Sequence, residues 1–472
     1  MTTPAHFTPF EGLMRGAGQP ELAIRTFGHY YGELRRGATG LVPEADLLPV
    51  DALPDANALD GYLARGREAL EQTVVIKLNG GLGTSMGMTA AKSLLPIKDG
   101  LTFLDLTARQ VLHLRERFGV ALPLVLMNSF RTRDDTLAAL AAYPQLTTNG
   151  LPLDFLQHQV PKVVAADLSP ARCDAQEELA WCPPGHGDLY TALHTSGMLA
   201  QLRARGIRWA FVANADNLGA AVDLGILGYL AHRELPFLME VADRTESDKK
   251  GGHLARRADD GRLVLRERAQ CAEGDLPAFE DWRRHRYFNT NNLWVDLVAL
   301  AAALEAREGL LGLPLIRNTK TLDPTDPTSP RVYQLETAMG AAIEVFPGAA
   351  AVRVPRDRFA PVKTTNDLLA LWSDAYQRTD DERVALDPRR AATGPPVVDL
   401  DPRWFGLIDD LRARFAGGAP SLVGCDRLTV RGDVRFGADV VMSGDVAVRH
   451  DGPGQRSIPD RAILVGRAAP SV

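Results

Sequence analysis

The stretch VVIKLNGGLGTSMGMTAAKSLLPIKDG, residues 74–100, decides the fold of this chain. It begins with apolar and β-branched residues that are typical of a buried strand, and glycines at 80, 81, 83 and 87 then interrupt the run. Glycine has no Cβ atom to keep a backbone N–H away from a phosphate, and it tolerates positive φ angles. Open α/β sheets bind their ligands at the carboxyl ends of strands. The stretch therefore predicts a phosphate-binding loop in an α/β protein.

The spacing within this loop excludes two common nucleotide-binding motifs. A Walker A loop has its lysine directly after the last glycine, whereas Met88 follows Gly87 here and Lys92 comes five residues after that glycine. A Rossmann fingerprint has a third glycine three residues after Gly83, and that position is Met86. What remains is a glycine-rich cradle of another kind, with a simple tight turn as the structural alternative.

Short apolar runs alternate with helical segments around this loop. The predicted strands are VVIKL at 74–78, LPLVLM at 122–127, WAFVAN at 209–214 and PFLMEV at 236–241, and the predicted helices are 104–118, 131–142 and 190–205. This alternation predicts βαβ units and a mostly parallel sheet covered on both faces.

Three parts are expected along the chain. A helical segment at 1–72 precedes a central α/β domain at 73–385, and a charged, proline-rich stretch at 378–402 indicates a linker. Beyond the linker, LTVRGDVRFGADVVMSGDVAVRH at 428–450 predicts short strands with tight turns, as in a few coils of a β-solenoid. The third predicted domain is therefore 386–472.

Composition indicates an ordinary globular protein. A length of 472 residues favours two or three domains, and 45% hydrophobic with 24% charged residues argues against disorder and membrane classes. The net charge of -6 gives no electrostatic footprint for a nucleic acid. The chain begins without a basic, apolar leader and has no apolar stretch of spanning length, so we expect no membrane contact and a cytoplasmic location. Four scattered cysteines predict free thiols.

Seven further motifs follow the loop. They are LMNSFRTRDDT at 126–136, PPGHGDLY at 183–190, FVANADNLGA at 211–220, KGGHLA at 250–255, FNTNNLWVDL at 288–297, QLETAMGAAIE at 334–344 and RFAPVKTTNDLL at 358–369. Together with the loop, these motifs resemble the eukaryotic-type UTP-glucose-1-phosphate uridylyltransferase family, in the same order. The family loop usually ends in Gly-Pro-Lys-Ser, where this chain has Ala90, Ala91, Lys92 and Ser93.

The resemblance implies both a fold and an activity. The implied fold is a Rossmann-like, GT-A-like nucleotidyltransferase domain with a mixed sheet, followed by a left-handed β-helix. The implied reaction forms UDP-glucose and pyrophosphate from UTP and glucose 1-phosphate by in-line nucleotidyl transfer with Mg²⁺. The C-terminal domain is expected to mediate a homo-oligomer.

Several candidate site residues also have a chemical reason. Asp216 follows a predicted strand, where its carboxylate is a hard oxygen ligand for Mg²⁺, although an Asx turn is the alternative. The amide of Gln157 carries the donor and the acceptor that uracil's imide requires. Asn289 and Asn291 share one face of an extended segment, and their neutral amides suit sugar hydroxyls.

The resemblance assigns the roles residue by residue. It implies catalytic Lys92 and Lys363, and a metal ligand at Asp216. It implies nucleotide binding by Leu78, Gly80, Gly81, Gln157, Gly185 and Asn214. It implies sugar-substrate binding by His186, Gly252, Glu267, Asn289 and Asn291, with His253 where the family usually has threonine.

Two alternative functions stay open at this point. A sister family acts on N-acetylglucosamine 1-phosphate, and its loop usually carries Gly-Thr-Arg-Leu-Gly where this chain has GTSMG at 83–87. The loop favours glucose, but a few hydroxyl contacts decide sugar range. The other alternative is a catalytically silent scaffold, whose C-terminal repeats serve as an interaction surface.

Overall fold

The structure is a computed structural model that describes residues 6–148, 150–174 and 176–466. The first residues of the predicted segment 1–72 and the last of the predicted domain 386–472 lie outside the described residues, and the predicted domain boundaries stay predictions. None of the helices in the described part of the chain has the length and apolar character that a membrane crossing requires.

The secondary structure is numbered in chain order. The helices are α1 (Thr8–Gly16), α2 (Glu21–Arg35), α3 (Leu63–Leu70), α4 (Phe103–Phe118), α5 (Arg133–Leu140), α6 (Leu189–Thr195), α7 (Met198–Ala204), α8 (Leu224–His232), α9 (Leu276–Glu280), α10 (Leu297–Ala306), α11 (Thr365–Trp372), α12 (Pro402–Phe405) and α13 (Ile408–Arg414). The strands are β1 (Leu47–Leu48), β2 (Thr73–Asn79), β3 (Pro96–Lys98), β4 (Leu101–Thr102), β5 (Leu124–Asn128), β6 (Asp154–Leu156), β7 (Val160–Pro161), β8 (Val163–Val164), β9 (Trp181–Cys182), β10 (Trp209–Asn214), β11 (Phe237–Asp243), β12 (His253–Arg257), β13 (Leu263–Arg266), β14 (Tyr287–Asp296), β15 (Ile316–Thr321), β16 (Arg331–Glu336), β17 (Ala350–Arg353), β18 (Tyr376–Arg378), β19 (Val384–Leu386), β20 (Val397–Leu400), β21 (Ser421–Arg431), β22 (Val434–Phe436), β23 (Val441–Arg449), β24 (Arg456–Ile458) and β25 (Ile463–Val465).

The predicted strands and helices of the central domain are present, with one difference. The four apolar runs form β2, β5, β10 and β11, and the first two predicted helices are α4 and α5. The predicted helix at 190–205 is instead two helices, α6 and α7. Gly197 between them adopts a left-handed φ of 75°, a conformation that an α-helix cannot contain.

The central sheet is mixed, as the family resemblance implied, rather than mostly parallel, as the alternation of strands and helices alone predicted. Its strands lie in the order β1-β12-β14-β10-β2-β5-β6; β13 pairs with β12, β11 pairs with β14, and β17 pairs with β11. The strands β10, β2, β5 and β6 run parallel, but β14 lies antiparallel between β10 and β11. The carboxyl ends of the four parallel strands therefore meet at one edge of the sheet.

Helices cover both faces of this sheet, as the alternation predicted. The alternating side chains of β2 enter two separate cores, because successive residues of a strand point to opposite faces. Val74 and Ile76 pack in one core with α6, α7 and α10. Val75 packs in the other core with α3, α4 and α8. The sheet is thus a rigid platform whose edge is left for binding.

The two ends of the chain pack against this platform. Helices α1 and α2 form an aromatic-rich core with residues of β7, β8, β9 and β16. Strands β20, β21, β23 and β25 form a parallel ladder, and β22 pairs in parallel with β24. The core of this ladder also includes Met86 of the glycine-rich loop, as well as Leu218 and Val362. The C-terminal region therefore packs against the loop and supports it.

Helices α3 and α8 contact each other through glycines. A Cβ atom added at Gly66 would lie 1.9 Å from the carbonyl oxygen of Leu224, and one added at Gly228 would lie 2.0 Å from that of Tyr62. Backbone atoms cannot move aside as a flexible side chain can. Close approach of the two helices therefore requires glycine at both positions.

We predict that Gly228→Ala lowers the free energy of unfolding by about 1–3 kcal/mol, because the added methyl forces α3 and α8 apart. Gly12→Ala is the matched control, since Gly12 lies in α1 with no atom within 4 Å of an added Cβ. That change should raise stability by about 0.5–1 kcal/mol through helix propensity. Urea titration followed by circular dichroism measures both, and an equal response of the two variants would contradict the close-packing explanation.

Candidate active site

The glycine-rich loop after β2 has free backbone donors. Gly83 and Gly87 adopt left-handed φ angles of 62° and 79°, and the N–H of Lys92 donates to the carbonyl oxygen of Gly81 at 2.9 Å, which closes the loop. Within the described residues, the N–H groups from Gly80 to Gly83 donate no hydrogen bond. A run of unpaired N–H groups in a glycine-rich turn is a concave anion site. The backbone of the loop therefore has the form expected of a phosphate cradle, and phosphate binding there stays a prediction.

Lys92 and Asp216 lie together in front of this loop. The Lys92 Nζ donates to the Oδ2 of Asp216 at 2.6 Å, and both side chains are partly buried. The backbone places them there: Asn214 ends β10 opposite Leu78 of β2, and the N–H of Ala215 donates to the carbonyl oxygen of Leu78. The alanines that replace the family's Gly-Pro therefore leave Lys92 within reach of the cleft.

The segment that carries Lys363 is fastened to the segment that carries Asp216. The side-chain oxygen of Asn217 accepts from the N–H of Ala360 at 2.9 Å, and its Nδ2 donates to the carbonyl oxygen of Arg358 at 3.1 Å. The N–H of Val362 donates to the carbonyl oxygen of Asp216 at 3.4 Å. Lys363 is exposed, with its Nζ 5.7 Å from the ring centroid of Phe359. The second lysine thus stands beside the first ion pair, able to reach a ligand.

A cavity of about 1060 Å³ opens on the β5–β6 side of the loop. Gly80, Gln157, Phe130 and Trp181 are among its lining residues. The N–H of Gln157 donates to the carbonyl oxygen of Asn128 at 2.9 Å. A Cβ atom added at Gly80 would lie 2.9 Å from the Gln157 side-chain oxygen. The glutamine amide therefore lies directly over the glycine, and both residues line the cavity.

The PPGHGD loop approaches the same side from another direction. Gly185 has φ 80°, and a Cβ added there would lie 2.4 Å from the carbonyl oxygen of Thr337, so only glycine fits. The N–H of Met339 donates to the Nδ1 of His186 at 2.9 Å, which leaves the ring proton on Nε2. Burial lowers the pKa of His186 to about 4. At neutral pH His186 is therefore an uncharged donor.

Gly252 and Glu267 face each other on the β12–β14 side. A Cβ atom added at Gly252 would lie 2.4 Å from the Oε2 of Glu267, so the carboxylate occupies the place of the missing side chain. Burial raises the pKa of Glu267 to about 7. Such a carboxyl group accepts hydrogen bonds from sugar hydroxyls, and in its protonated form it also donates one.

Asn289 and Asn291 are adjacent, although the strand between them is not regularly extended. The register of β14 against β11 shifts between Glu240 and Val241, and Asn291 adopts a left-handed φ of 59°. The bulge brings the two amides into contact, with Asn289 Nδ2 donating to Asn291 Oδ1 at 2.8 Å. The N–H of Asn289 donates to the carbonyl oxygen of Gly252 at 3.3 Å, which joins this pair to the preceding one.

His253 does not line the cleft. Its ring is fully buried and stacks on the ring of His285, with 3.9 Å between the centroids. Burial, reinforced by the neighbouring His285 and two arginines, lowers the pKa of His253 well below its usual range. The histidine that replaces the family's threonine is therefore a buried residue behind Gly252 and is not part of the cleft surface.

The predicted residues form three groups along one sheet edge. Gln157 with Gly80 and Gly185 lies at one end, Lys92 with Asp216 and the Lys363 segment at the centre, and Gly252, Glu267 and the two asparagines at the other. This order follows the strands from β6 through β2 and β10 to β14 and β12. The roles assigned to these residues remain predictions.

Sequence reasoning missed the residues that hold the site together. Asn217, Thr337 and Glu240 are buried polar residues that bond segments distant in sequence. Asn217 and Thr337 lie inside quoted motifs, so their motif membership was the one available signal. Glu240 gave a weaker signal, as a lone charge in an apolar run predicted to be a strand.

We predict that Glu267→Gln changes the pH dependence of stability. The pKa of this carboxyl group is about 7 in the folded chain and near 4.5 when the chain is unfolded. The contribution of Glu267 to the free energy of unfolding is therefore complete below pH 4.5 and is lost as the pH rises through 7. Relative to wild type, the glutamine variant should gain on the order of 2 kcal/mol between about pH 4.5 and 8. Urea unfolding at both pH values measures this, with Glu305→Gln on the exposed face of α10 as control. A pH-independent difference for Glu267→Gln would reject the raised pKa.

Comparison with known proteins shows the family to which this site belongs. The family model described as UTP--glucose-1-phosphate uridylyltransferase matches residues 36–443. The UTP--glucose-1-phosphate uridylyltransferase of Solanum tuberosum is 41% identical over 86% of this chain and 82% of that protein. The Saccharomyces cerevisiae protein of the same description is also 41% identical, over 84% and 77% of the two chains.

A solved structure has the same fold. A point mutant of UDP-glucose pyrophosphorylase from Leishmania major, in complex with UDP-glucose, superposes with a TM-score of 0.89 at 45% identity, covering 99% of this chain and 100% of that one. With the sheet-edge site and this likeness together, the chain belongs to the UTP-glucose-1-phosphate uridylyltransferase family.

Proposed function

We propose that the chain forms UDP-glucose and pyrophosphate from UTP and glucose 1-phosphate, with Mg²⁺ as its cofactor. The order of the site groups along the sheet edge carries this proposal. A base-binding group, a phosphate cradle with two lysines, and an amide- and carboxyl-rich pocket follow one another. UDP-glucose has the same linear order of uracil, phosphates and sugar.

The reaction needs no nucleophilic side chain. The phosphate oxygen of glucose 1-phosphate is already ionised, and it attacks the α-phosphorus of UTP in line while pyrophosphate leaves. The work left to the protein is to align the two phosphates and to neutralise their charge. Free N–H groups at 80–83 hold the triphosphate, Lys92 stabilises the leaving pyrophosphate, and Lys363 draws in the attacking phosphate.

Asp216 fits the role of metal ligand. Its carboxylate is a hard oxygen donor at the carboxyl end of β10, partly exposed and beside the phosphate cradle. Magnesium held by Asp216 would supply positive charge that offsets the negative charge developing on the transferring phosphates. Lys92 shares the Asp216 carboxylate, so the lysine stays aimed at the position of the phosphates.

The two end groups select the substrates. Gln157 with Gly80 and Gly185 reads the uracil, with Leu78 and Asn214 at the ends of β2 and β10 beneath the nucleotide. The sugar hydroxyls meet Glu267, Asn289 and Asn291, together with the Nε2–H of His186. Gly252 leaves room for the ring because a side chain there would displace Glu267.

The direct test is a pyrophosphate-release assay. UTP is supplied with the 1-phosphates of glucose, galactose and N-acetylglucosamine in turn, each with and without Mg²⁺. We expect release with glucose 1-phosphate that requires Mg²⁺. A preference for N-acetylglucosamine 1-phosphate would move the chain to the sister activity, and no release with any sugar would favour the silent scaffold.

Removal of either lysine should slow the chemical step. We predict that Lys92→Met and Lys363→Met each lower kcat by about 10²–10³-fold, because each removes a charge aimed at the transferring phosphates. Circular dichroism spectra should not change. Lys320→Met is the control, since Lys320 is exposed on β15, does not line the cavity and has no role in the proposed site, so it should keep full turnover. Near-normal kcat in either site variant would reject its assigned role.

We also propose three features of the chain as a whole. The parallel pairing of β20, β21, β23 and β25 supports a left-handed β-helix in the C-terminal domain. A homo-oligomer through this domain and a cytoplasmic location remain proposals.

A further inference from the structure

We propose that Asp188 is a positioning residue which, through His158, fixes the two base-reading loops relative to each other and so determines discrimination between uracil and cytosine. The inference rests on the proposed function, because it concerns how the nucleotide is chosen. Neither residue is among those to which the family resemblance assigned a role.

The two residues form a buried hydrogen-bonded unit. One carboxylate oxygen of Asp188 accepts from the backbone N–H of His158 at 2.7 Å, and the other lies 2.7 Å from the ring Nδ1. Since an ionised carboxylate can only accept, the ring carries its proton on Nδ1. The hydroxyl of Thr195 lies 3.0 Å from the Nε2 on the other side of the ring. Both His158 and Asp188 are more than nine-tenths buried.

The contacts of His158 with Asp188 and Thr195 hold the loop that contains His158 against helix α6. Asp188 directly precedes α6 and Thr195 is its last residue, so the two lie about two helical turns apart on one face. His158 fits between them. The backbone contact matters most, because it fixes the chain itself and not just a side chain.

The positions of Asp188 and His158 in the sequence show which two loops their hydrogen bonds connect. His158 follows Gln157, whose amide lies over Gly80. Asp188 closes the PPGHGD loop, in which Pro183 lines the same cavity as Gln157 and Gly185 is the residue assigned to the base. The Asp188–His158 unit therefore joins the two loops directly behind the surfaces that would meet the base.

Discrimination between bases requires such a constraint. Uracil presents an N–H donor between two carbonyl acceptors, whereas cytosine presents an acceptor beside an amino donor. A glutamine amide carries one donor and one acceptor, and a flip of its plane adapts it to either base. Selectivity must therefore come from backbone groups whose direction cannot rotate, held at a fixed distance from the amide. The Asp188–His158 unit keeps that distance fixed, because it holds the two loops together.

The test measures KM, kcat and base choice in the full-length chain. We expect Asp188→Ala to raise the KM for UTP about tenfold, the effect of losing buried hydrogen bonds, with kcat within about threefold of wild type. The ratio of kcat/KM for UTP to that for CTP should fall by about the same factor. Thr195→Val, which removes the distal contact together with the hydrogen bond from the Thr195 hydroxyl to the carbonyl oxygen of Thr191, should give a smaller shift in the same direction.

A matched control separates positioning from stability. Asp296 is an equally buried aspartate that accepts from the N–H groups of Val298 and Ala299, away from the two base-reading loops. Asp296→Ala should lower the melting temperature but leave the KM for UTP and the UTP-to-CTP ratio unchanged. If Asp188→Ala behaves like this control, Asp188 is structural only and the proposal is overturned.

A variant that does not fold and a chain that makes no UDP-glucose each require a further measurement. If Asp188→Ala does not fold, Asp188→Asn replaces it, and unchanged KM and base ratio in that variant also overturn the proposal. Calorimetric titration of wild type and variants with UTP and CTP does not depend on turnover. A wild-type chain that binds UTP selectively but makes no UDP-glucose rejects the proposed function alone, whereas equal wild-type affinity for UTP and CTP rejects the positioning role.

Discussion

The buried carboxylate of Glu240 is the interaction on which the cleft depends. It lies fully buried on β11 and accepts two hydrogen bonds from Arg358 at 2.7 Å, one from Trp294 Nε1 at 2.9 Å and one from Asn292 Nδ2 at 3.0 Å. A buried charge is tolerated only when it is paired and its lone pairs are satisfied. These four bonds meet that requirement. They also tie the antiparallel strand β14 and the segment before Lys363 to the same strand.

Hydrogen bonds connect Glu240 to the segments that carry the candidate site residues Asp216 and Lys363. The carbonyl oxygen of Arg358 accepts from both Asn217 and Asn292, and Asn217 in turn holds Ala360. Asp216 and the Lys363 segment are thereby positioned by the core rather than by loop conformation. Side chains held in this way are preorganised, and charges that are already in place need not be moved during a reaction such as the one proposed.

The sequence predicts local features of this fold well and long-range ones poorly. The strands β2 and β10 and the glycine-rich loop follow from β-branched runs and glycines that act over a few residues. The antiparallel insertion of β14 was not predicted, since its pairing depends on partners that are distant in the sequence. The break between α6 and α7 results from the left-handed conformation of Gly197. The sequence did not predict this break, because a helix can contain a single glycine without ending there.

The same distinction applies to the site. Motif resemblance brought forward residues that the structure places in three adjoining groups, including Gln157 over Gly80 and Gly252 against Glu267. It missed Asn217, Glu240 and the Asp188–His158 unit. These residues connect segments that are distant in the sequence. Such contacts leave no pattern among neighbouring residues from which they could be predicted. The bulge that joins Asn289 to Asn291 is also non-local, because it exists only where β14 meets β11.

In the ion pair between Lys92 and Asp216, the carboxylate already serves as the counterion of the lysine before any ligand binds. A phosphate that reaches Lys92 must compete with a carboxylate at 2.6 Å, so part of its attraction is offset by the pair it disrupts. Binding is then an exchange of partners and not the neutralisation of a lone charge. Small anions gain little from such an exchange. An anion that brings its own cation would satisfy the carboxylate and the lysine at once, so a pair of this kind is suited to an anion with a bound cation, which is the form of nucleotide expected under the proposed function.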